Sequence, residues 1–491
     1  MNLRIGILIE EFKDCSNWQL RVIQAILDDP TLEMSLVIQK TGYRIFKKNS
    51  SLRRFFSKFG IGRLLLTLQI CIEKKVFFKE VFCADKERIN IALKKLPIVK
   101  VGQRSKRKSD VLGLEIIEQI KQQNLDLIIN LEGFHHFFAD LTKVPKYGAW
   151  DILHADFSLP LRRPAGFSEV LQKKSSIGFT LMKRTADMQV TILDQAFFNR
   201  AWSMVETARI SQEGGVSVVL KNLKQLQDGY RVGMKSSDIP KYKYPGIYQI
   251  LKYITRFYIH LSGKIWQRIA YKFWGQRHEC WSIFIGKGSF LESSLSNIKP
   301  LEMPKDEFWA DPFLFKHQGT DYVFFENYSY KSKRGKISCG KVRGQELFDI
   351  IDVLDFDYHL SFPFIFEEDG AIFLMPETAE NKRLEIYKAI DFPTKWELFT
   401  TAFEGEMVAD AFFFDDAQNQ KWLFVNKQAA VTSPMNSELF IYKTDSIRLD
   451  SLQAHAQNPV IIDARVARNG GSLFVHKNEL YRPSQKNTDG I

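Results

Sequence analysis

ADPFLF (Ala310–Phe315), SFPFIF (Ser361–Phe366) and ADAFFF (Ala409–Phe414) are three versions of one phrase, spaced about 50 residues apart. A turn and a second strand follow each: YVFFE (Tyr322–Glu326), IFLMPE (Ile372–Glu377) and WLFVN (Trp422–Asn426). Two of the units add a matching third strand, LEIYKA (Leu384–Ala389) and LFIYKT (Leu439–Thr444). Short aromatic strands that recur in register with this period predict the blades of a β-propeller, because a sandwich does not require the same phrase to return. A fourth unit, Asn458–Asp463, Ser472–His476 and Leu480–Ser484, is less regular. A propeller must close to remove its sheet edges, so the expectation is a five-bladed type with an incomplete last blade. Blades begin at their innermost strand, which places Asp311, His359, Ser361 and Asp410 around an axial pocket, with Glu377 at the end of the next strand. Converging carboxylates serve both sugar recognition and glycosidic cleavage. The rings of Phe313, Phe364 and Phe412 are read as blade core.

Upstream of the repeats, the first ~200 residues alternate buried strands with helical periodicity, the pattern of an α/β domain. LRIGILI (Leu3–Ile9) is apolar on both faces, as a covered parallel strand requires. Ser16-Asn17-Trp18-Gln19 reads as a capping box before a helix carrying Val22, Ile23, Ile26 and Leu27. Met34–Ile38 is a second strand, Val111–Ile120 an amphipathic helix, and DLIINL (Asp126–Leu131) a buried strand ending at Glu132-Gly133. Ligands of an open parallel sheet gather beyond the carboxyl ends of its strands. Glu10–Asp14, Glu132–His136 and the segment around His154 are therefore expected to meet.

The 491 residues, 45% hydrophobic and 26% charged, allow two or three domains with real cores. The expected divisions are an α/β domain over 1–205, a helical linker over 206–275 and the propeller over 276–491. Cys15, Cys71, Cys83, Cys280 and Cys339 form no C-x-x-C pair, which argues against a disulfide framework and a structural zinc. Adjacent His135 and His136 point to opposite sides of an extended backbone, so no metal is expected there. No apolar stretch reaches the ~20 residues of a membrane span, and no signal segment is evident; a cytoplasmic setting, peripheral at most to the inner membrane face, is expected. The net charge of +12 fits nucleic acid, an anionic membrane or phosphorylated substrates. No helix-turn-helix, zinc finger or RNA-binding sheet signature appears, so no nucleic-acid partner is expected. The long helix within Pro240–Trp274 carries Ile247, Ile250, Leu251, Ile254, Tyr258, Leu261 and Ile265 on one face, and Lys252, Arg256, Lys264, Arg268 and Lys272 on the other. It reads either as a helix packed between domains or as an interfacial membrane helix over Ile247–Trp274.

DLIINLEGF, then GAWDILH (Gly148–His154), PAGFSE (Pro164–Glu169) and GFT (Gly178–Thr180), resemble in order the core of the formyltransferase family. The resemblance covers roughly residues 1–200 and implies a Rossmann-like fold. It also implies a 10-formyltetrahydrofolate cofactor near Glu132, Gly133 and Phe134, and a histidine, His154, stabilising the oxyanion of formyl transfer to an amine. The family's asparagine position holds Ile152 and its aspartate position holds Gln189, with Asp187 out of register; Asp151 or Asp156 remain to assist His154. Loss of one oxyanion donor costs about 2.7–4 kcal/mol. Asp311-Pro-Phe, His359-Leu-Ser-Phe-Pro363, Pro376-Glu377 and Arg482-Pro-Ser-Gln485 are similar to the N-terminal domain of plant glucosamine inositolphosphorylceramide transferases, and more distantly to five-bladed glycoside hydrolases. Together the resemblances imply a sugar-modifying protein of surface-glycan synthesis. It would transfer a formyl group to an amino sugar on a nucleotide- or lipid-linked substrate, with the propeller binding carbohydrate at Asp311, His359, Glu377 and Asp410. Two alternatives stand beside this: a catalytically impaired glycan-binding scaffold, and a glycoside hydrolase or glycosyltransferase-related propeller enzyme.

Overall fold

The chain is described by a computed structural model over residues 2–41, 52–102, 114–132, 139–157, 164–184, 190–229, 236–237, 243–274 and, apart from 289, 290, 293, 295 and 297, 281–486. Its first half is built on strand β1 (Leu3–Ile9). β1 pairs in parallel with β2 (Leu32–Thr41), and β2 with β3 (Ile98–Gly102). On the other side of β1 lie β4 (Leu127–Asn130) and β5 (Ala149–Leu153), again parallel. The sheet then turns antiparallel through β6 (Ser176–Arg184), β7 (Val190–Asn199) and β8 (Ser236–Ser237). The order is 3-2-1-4-5-6-7-8, so the direction in which strands are added reverses between β1 and β4. A crevice opens beyond the strand tips at such a reversal.

The helices are α1 (Asn17–Asp28), α2 (Leu52–Ile72), α3 (Lys86–Lys94), α4 (Leu114–Lys121), α5 (Phe167–Leu171), α6 (Met204–Gln227) and α7 (Ile247–Trp274). α1 starts on the expected capping box, with the Ser16 N–H donating to Gln19 Oε1 at 2.7 Å. It buries Trp18, Val22, Ile23 and Ile26 against the sheet. α6 lies across β6 and β7 at a distance only glycine permits. A Cβ on Gly214 would fall 2.3 Å from the Phe198 ring, and one on Gly215 would fall 2.0 Å from the Phe179 ring. Of the stripe expected on α7, Ile250 is buried with Tyr253 and Phe257 against Leu66, Phe167 and Met204, whereas Ile247, Leu251, Tyr258 and Ile265 face solvent. The helix has two apolar faces, and the protein covers one.

The second half contains three antiparallel meanders. The first runs through Glu307–His317, Thr320–Ser329, Arg334–Arg343 and Glu346–Leu354. The second runs through Ser361–Glu368, Ala371–Glu377, Leu384–Asp391 and Lys395–Ala402. The third joins Val408–Asp415, Lys421–Lys427, Glu438–Thr444 and Gln453–Ala454, with Ile461–Ile462 also paired to Glu438–Thr444. Short hairpins flank them, Phe284–Ile285 with Lys299–Pro300 and Phe474–His476 with Glu479–Tyr481. Five complete blades closed into a ring are not what the described residues form: there are three full sheets, with residues 458–484 mostly irregular. The reason is local. This fourth unit lacks the aromatic phrase, and its strands are two or three residues long.

The two halves touch. The Ala464 N–H donates to the Phe197 carbonyl of β7 at 2.8 Å, Arg465 lies 3.6 Å above the Phe197 ring, and Ile462 joins the core of the first half.

Candidate functional site

The repeated phrase produces the same backbone irregularity three times. In each first strand the pairing register slips immediately after the phrase opens: between Ala310 and Phe313, Ser361 and Phe364, and Ala409 and Phe412. The second residue of the phrase takes a left-handed conformation each time, at φ 47° for Asp311, 44° for Phe362 and 50° for Asp410. Such bulges re-aim side chains. Asp tolerates this conformation better than most residues, whereas a Phe held there is strained. Opposite the opening residue of each phrase, on the neighbouring strand, stand Glu326, Glu377 and Asn426, as partners of Ala310, Ser361 and Ala409. The repeat thus carries two chemical stations per sheet: Asp/Phe/Asp on the bulge and Glu/Glu/Asn across from it.

Two of these stations, Asp410 and Glu377, meet at Arg468. Its Nε lies 2.5 Å from Asp410 Oδ2, and its Nη2 lies 3.7 Å from Glu377 Oε2. Asp410 is fully buried, and its carbonyl accepts from Asn469 Nδ2 at 2.9 Å. Asn426 Oδ1 in turn accepts from the Asn469 N–H at 2.8 Å, and Arg482 Nη1 donates to Asn469 Oδ1 at 3.2 Å. His359 accepts the Gly335 N–H on Nδ1 at 2.9 Å, which leaves the proton of the neutral ring on Nε2. That nitrogen faces Glu326 Oε1 at 3.5 Å. Gly335 is obligatory, because a Cβ there would stand 2.5 Å from the Leu360 carbonyl oxygen and 2.9 Å from Glu326 Oε1.

Carboxyls crowded around a single guanidinium cannot all ionise in a dry setting. Burial, reinforced by the charge of Asp410, pushes Asp311 up to about 6. Burial and then the charge of Asp311 push Glu326 up to about 8. Glu377 is raised by burial first and by Asp410 second, and its Oε2 makes no hydrogen bond. Burial holds the His359 imidazole below its usual range. The cluster therefore presents carboxyls that keep protons near neutral pH beside one, Asp410, paired with a cation. Arg468 keeps 27% of its side-chain surface exposed, so the arrangement is reachable from solvent.

The crevice at the β1/β4 reversal is a separate site. A cavity of about 230 Å³ is lined by Glu10, Asp14, Cys15, Ser16, Trp18, Gln19, Leu131, Glu132, His154 and Gln212, which brings together three segments expected to meet there. His154 sits between Trp18 and Phe179, with ring centroids at 5.1 and 5.5 Å. Burial drives its imidazole down to about 4, and Nδ1 has no hydrogen-bond partner. Glu132 Oε2 pairs with Lys40 Nζ at 2.9 Å, while Oε1 is buried without a partner; burial raises this carboxyl. Asp156 lines a different cavity, with Glu169, Lys174 and Arg465. Asp151 is a buried structural ion, held by Arg184 at 2.8 Å and Asn130 at 3.0 Å. Ile152 is wholly buried. Gly133, Phe134, His135, His136, Asp187 and Gln189 lie outside the described residues. The described lining of this cavity carries three carboxyls, Glu10, Asp14 and Glu132, and two side-chain amides, Gln19 and Gln212; Ile152 is not part of it.

Residues 296–491 match the family model described as glucosamine inositolphosphorylceramide transferase 1, N-terminal. The protein of that name from Arabidopsis thaliana is 33% identical over 182 residues, 36% of this chain and 23% of the relative. Its counterpart from Oryza sativa subsp. japonica is 32% identical over 182 residues, 36% of this chain and 24% of the relative. The chain spans about a quarter of the length of these curated relatives. Among solved structures, phosphoribosylglycinamide formyltransferase from Anaplasma phagocytophilum is similar at 15% identity and a TM-score of 0.31, over 50% of this chain and all (100%) of that one. The cytoplasmic setting expected from the sequence is overturned by the plant relatives, which are named for an acceptor containing ceramide, a membrane lipid.

Of the residues expected from the sequence to line the pocket, Glu377 and Asp410 lie at Arg468, Asp311 lies near enough to feel Asp410, and His359 faces Glu326. Sequence reasoning missed Arg468 and Glu326. Glu326 could have been found, because YVFFE and IFLMPE align it with Glu377. Arg468 follows no repeat and gave no signal.

Proposed function

We propose that the protein takes part in building glycans on a lipid-linked or nucleotide-linked acceptor, and that the Asp311, Glu326, Glu377, Asp410 and Arg468 cluster is its sugar site. On this reading the three sheets are consecutive blades of a propeller and the cluster lies at its axis. The observation that carries the proposal is that Asp410 and Glu377 meet at Arg468, with Asp311 and Glu326 near enough to feel the same charges, from equivalent stations of three repeated sheets. Glycosyl chemistry needs one carboxyl that keeps a proton for a leaving or attacking oxygen and another that stays ionised. Glu326 or Glu377 supplies the first, and Asp410 is the carboxyl set against the Arg468 guanidinium. The relatives' name points to glucosamine as the sugar and to inositolphosphorylceramide as the acceptor. Formyl transfer has no place in this reading, since His154 lacks both a hydrogen-bonding partner on Nδ1 and the neighbouring amide.

The test pairs binding and turnover. Glucosamine-containing oligosaccharides are titrated calorimetrically, and transfer from nucleotide-linked glucosamine to an inositolphosphoryl lipid is followed by mass spectrometry. Glu377→Gln keeps the shape but not the titrating proton, and should abolish transfer while leaving binding within a few-fold. Asp311→Asn should weaken both. Unchanged binding and turnover in both variants would refute the site. Phe362, standing where the pattern would place a third carboxyl, favours a second reading in which the pocket binds glycan without chemistry. Binding without transfer in the wild-type chain would establish that reading.

A further inference from the structure

The uncovered face of α7 is continuous. Tyr248, Leu251, Ile259, Ile265 and Ile269, separated by 3, 8, 6 and 4 residues, fall in one broad sector of the helix surface and are 73, 49, 66, 51 and 39% exposed, and Trp266 in the same sector is 60% exposed. At 1.5 Å per residue the stripe from Tyr248 to Ile269 extends over roughly 32 Å. The other face is spoken for by Ile250, Tyr253 and Phe257, and the Tyr253 hydroxyl donates to Glu73 Oε1 at 2.8 Å. α7 is thus clamped to the domain by one side while the second apolar side points outward. α2 meets it at Gly62, where a Cβ would lie 3.3 Å from Ile247, and adds Ile61 and Leu68, 64 and 55% exposed.

Charge decides what covers this face. The described residues of the two helices include Arg63, Lys252, Lys264, Arg268 and Lys272, while Arg256 turns to the Leu171 carbonyl, and neither helix contains an Asp or Glu. A second protein docked on an aliphatic stripe would need no such one-signed border. A bilayer with anionic lipid does: aliphatic side chains enter the acyl boundary, Tyr and Trp sit at the headgroup level, and Lys and Arg reach phosphates. Among the described residues no helix is long and apolar enough to cross a membrane, so α7 would lie along the surface. We infer that α7, together with the exposed residues of α2, is a membrane-docking surface that rests flat on a bilayer containing anionic phospholipid. The inference stands on this face alone and does not depend on the chemistry of the carboxyl cluster.

The test is flotation of the full chain with vesicles of phosphatidylcholine alone or of phosphatidylcholine with phosphatidylglycerol. The wild-type chain should float with the anionic vesicles and stay behind with the neutral ones. Ile259→Glu and Ile265→Glu should each lower partitioning by roughly tenfold, and Lys252→Gln and Lys272→Gln by roughly fivefold each. These side chains are exposed, so unchanged thermal melting of the variants separates lost docking from lost folding. The inference is overturned if the wild-type chain stays off anionic vesicles at low salt, or if the double Glu variant floats as well as wild type. It is overturned equally if Ile259→Glu instead dissolves a vesicle-independent dimer seen by sedimentation. None of these outcomes depends on the sugar-transfer assay, so the two proposals fail separately.

Discussion

The crevice around His154 and the cluster around Arg468 are both buried, yet burial yields different chemistry in each. At the sheet tips one imidazole is pressed between two aromatic rings, with Nδ1 unpartnered, and desolvation alone keeps it neutral. In the meanders several carboxyls share one guanidinium, so each proton bound or lost is felt by the others. Desolvation by itself silences a titratable group. Desolvation among like charges with a single counter-ion holds protons where a reaction can use them.

The largest test of that contrast is Arg468→Met. It leaves Asp410 and its neighbours without a counter-charge, and breaking a buried pair in this way costs about 3–5 kcal/mol. Denaturant unfolding should show the loss, larger at pH 8 than at pH 5.5 because acid neutralises the stranded carboxyls. Equal loss at both values would mean that the cluster is not the unit described here.

The wild-type chain should itself respond to pH. Glu326 and Asp311 bind protons more tightly folded, at about 8 and about 6, than unfolded. Between those limits the folded state holds more protons, so stability is greatest in mild acid and falls as pH rises toward 8, by roughly 2–3 kcal/mol. Glu326→Gln should flatten the decline; stability rising over this range would contradict the assignment. Next in size is Gly335→Ala. The added methyl meets the Leu360 carbonyl and crowds the His359–Glu326 pair, costing about 1–3 kcal/mol. Glycan affinity should fall with it. The smallest effect belongs to the crevice: His154→Phe exchanges one packed ring for another and should stay within about 1 kcal/mol of wild type. Glycan binding should not change, and a calorimetric loss there would erase the distinction between the two sites.

Legibility followed the same division. The meanders were readable because one aromatic phrase recurs, and its register carried Asp311 and Asp410 to the site with no further information. The parallel core was readable from the apolar runs of β1 and β4. Arg468 was not, because it lies in an irregular segment where only the folded path, not a period, brings it to Asp410. The two faces of α7 were merged into one stripe, since 3.6-residue periodicity marks apolar sectors without saying which of them a neighbour covers. The ring of five blades was an extrapolation from three, and the fourth unit lacks the residues to continue it.

Phe362 breaks the repeat. It occupies the station that holds an aspartate in the sheets on either side, 1% exposed and packed at 4.9 Å against Phe313. The middle sheet therefore buries a ring where each of its neighbours carries an acid, so the negative charge of the cluster is drawn unevenly from three otherwise equivalent sheets.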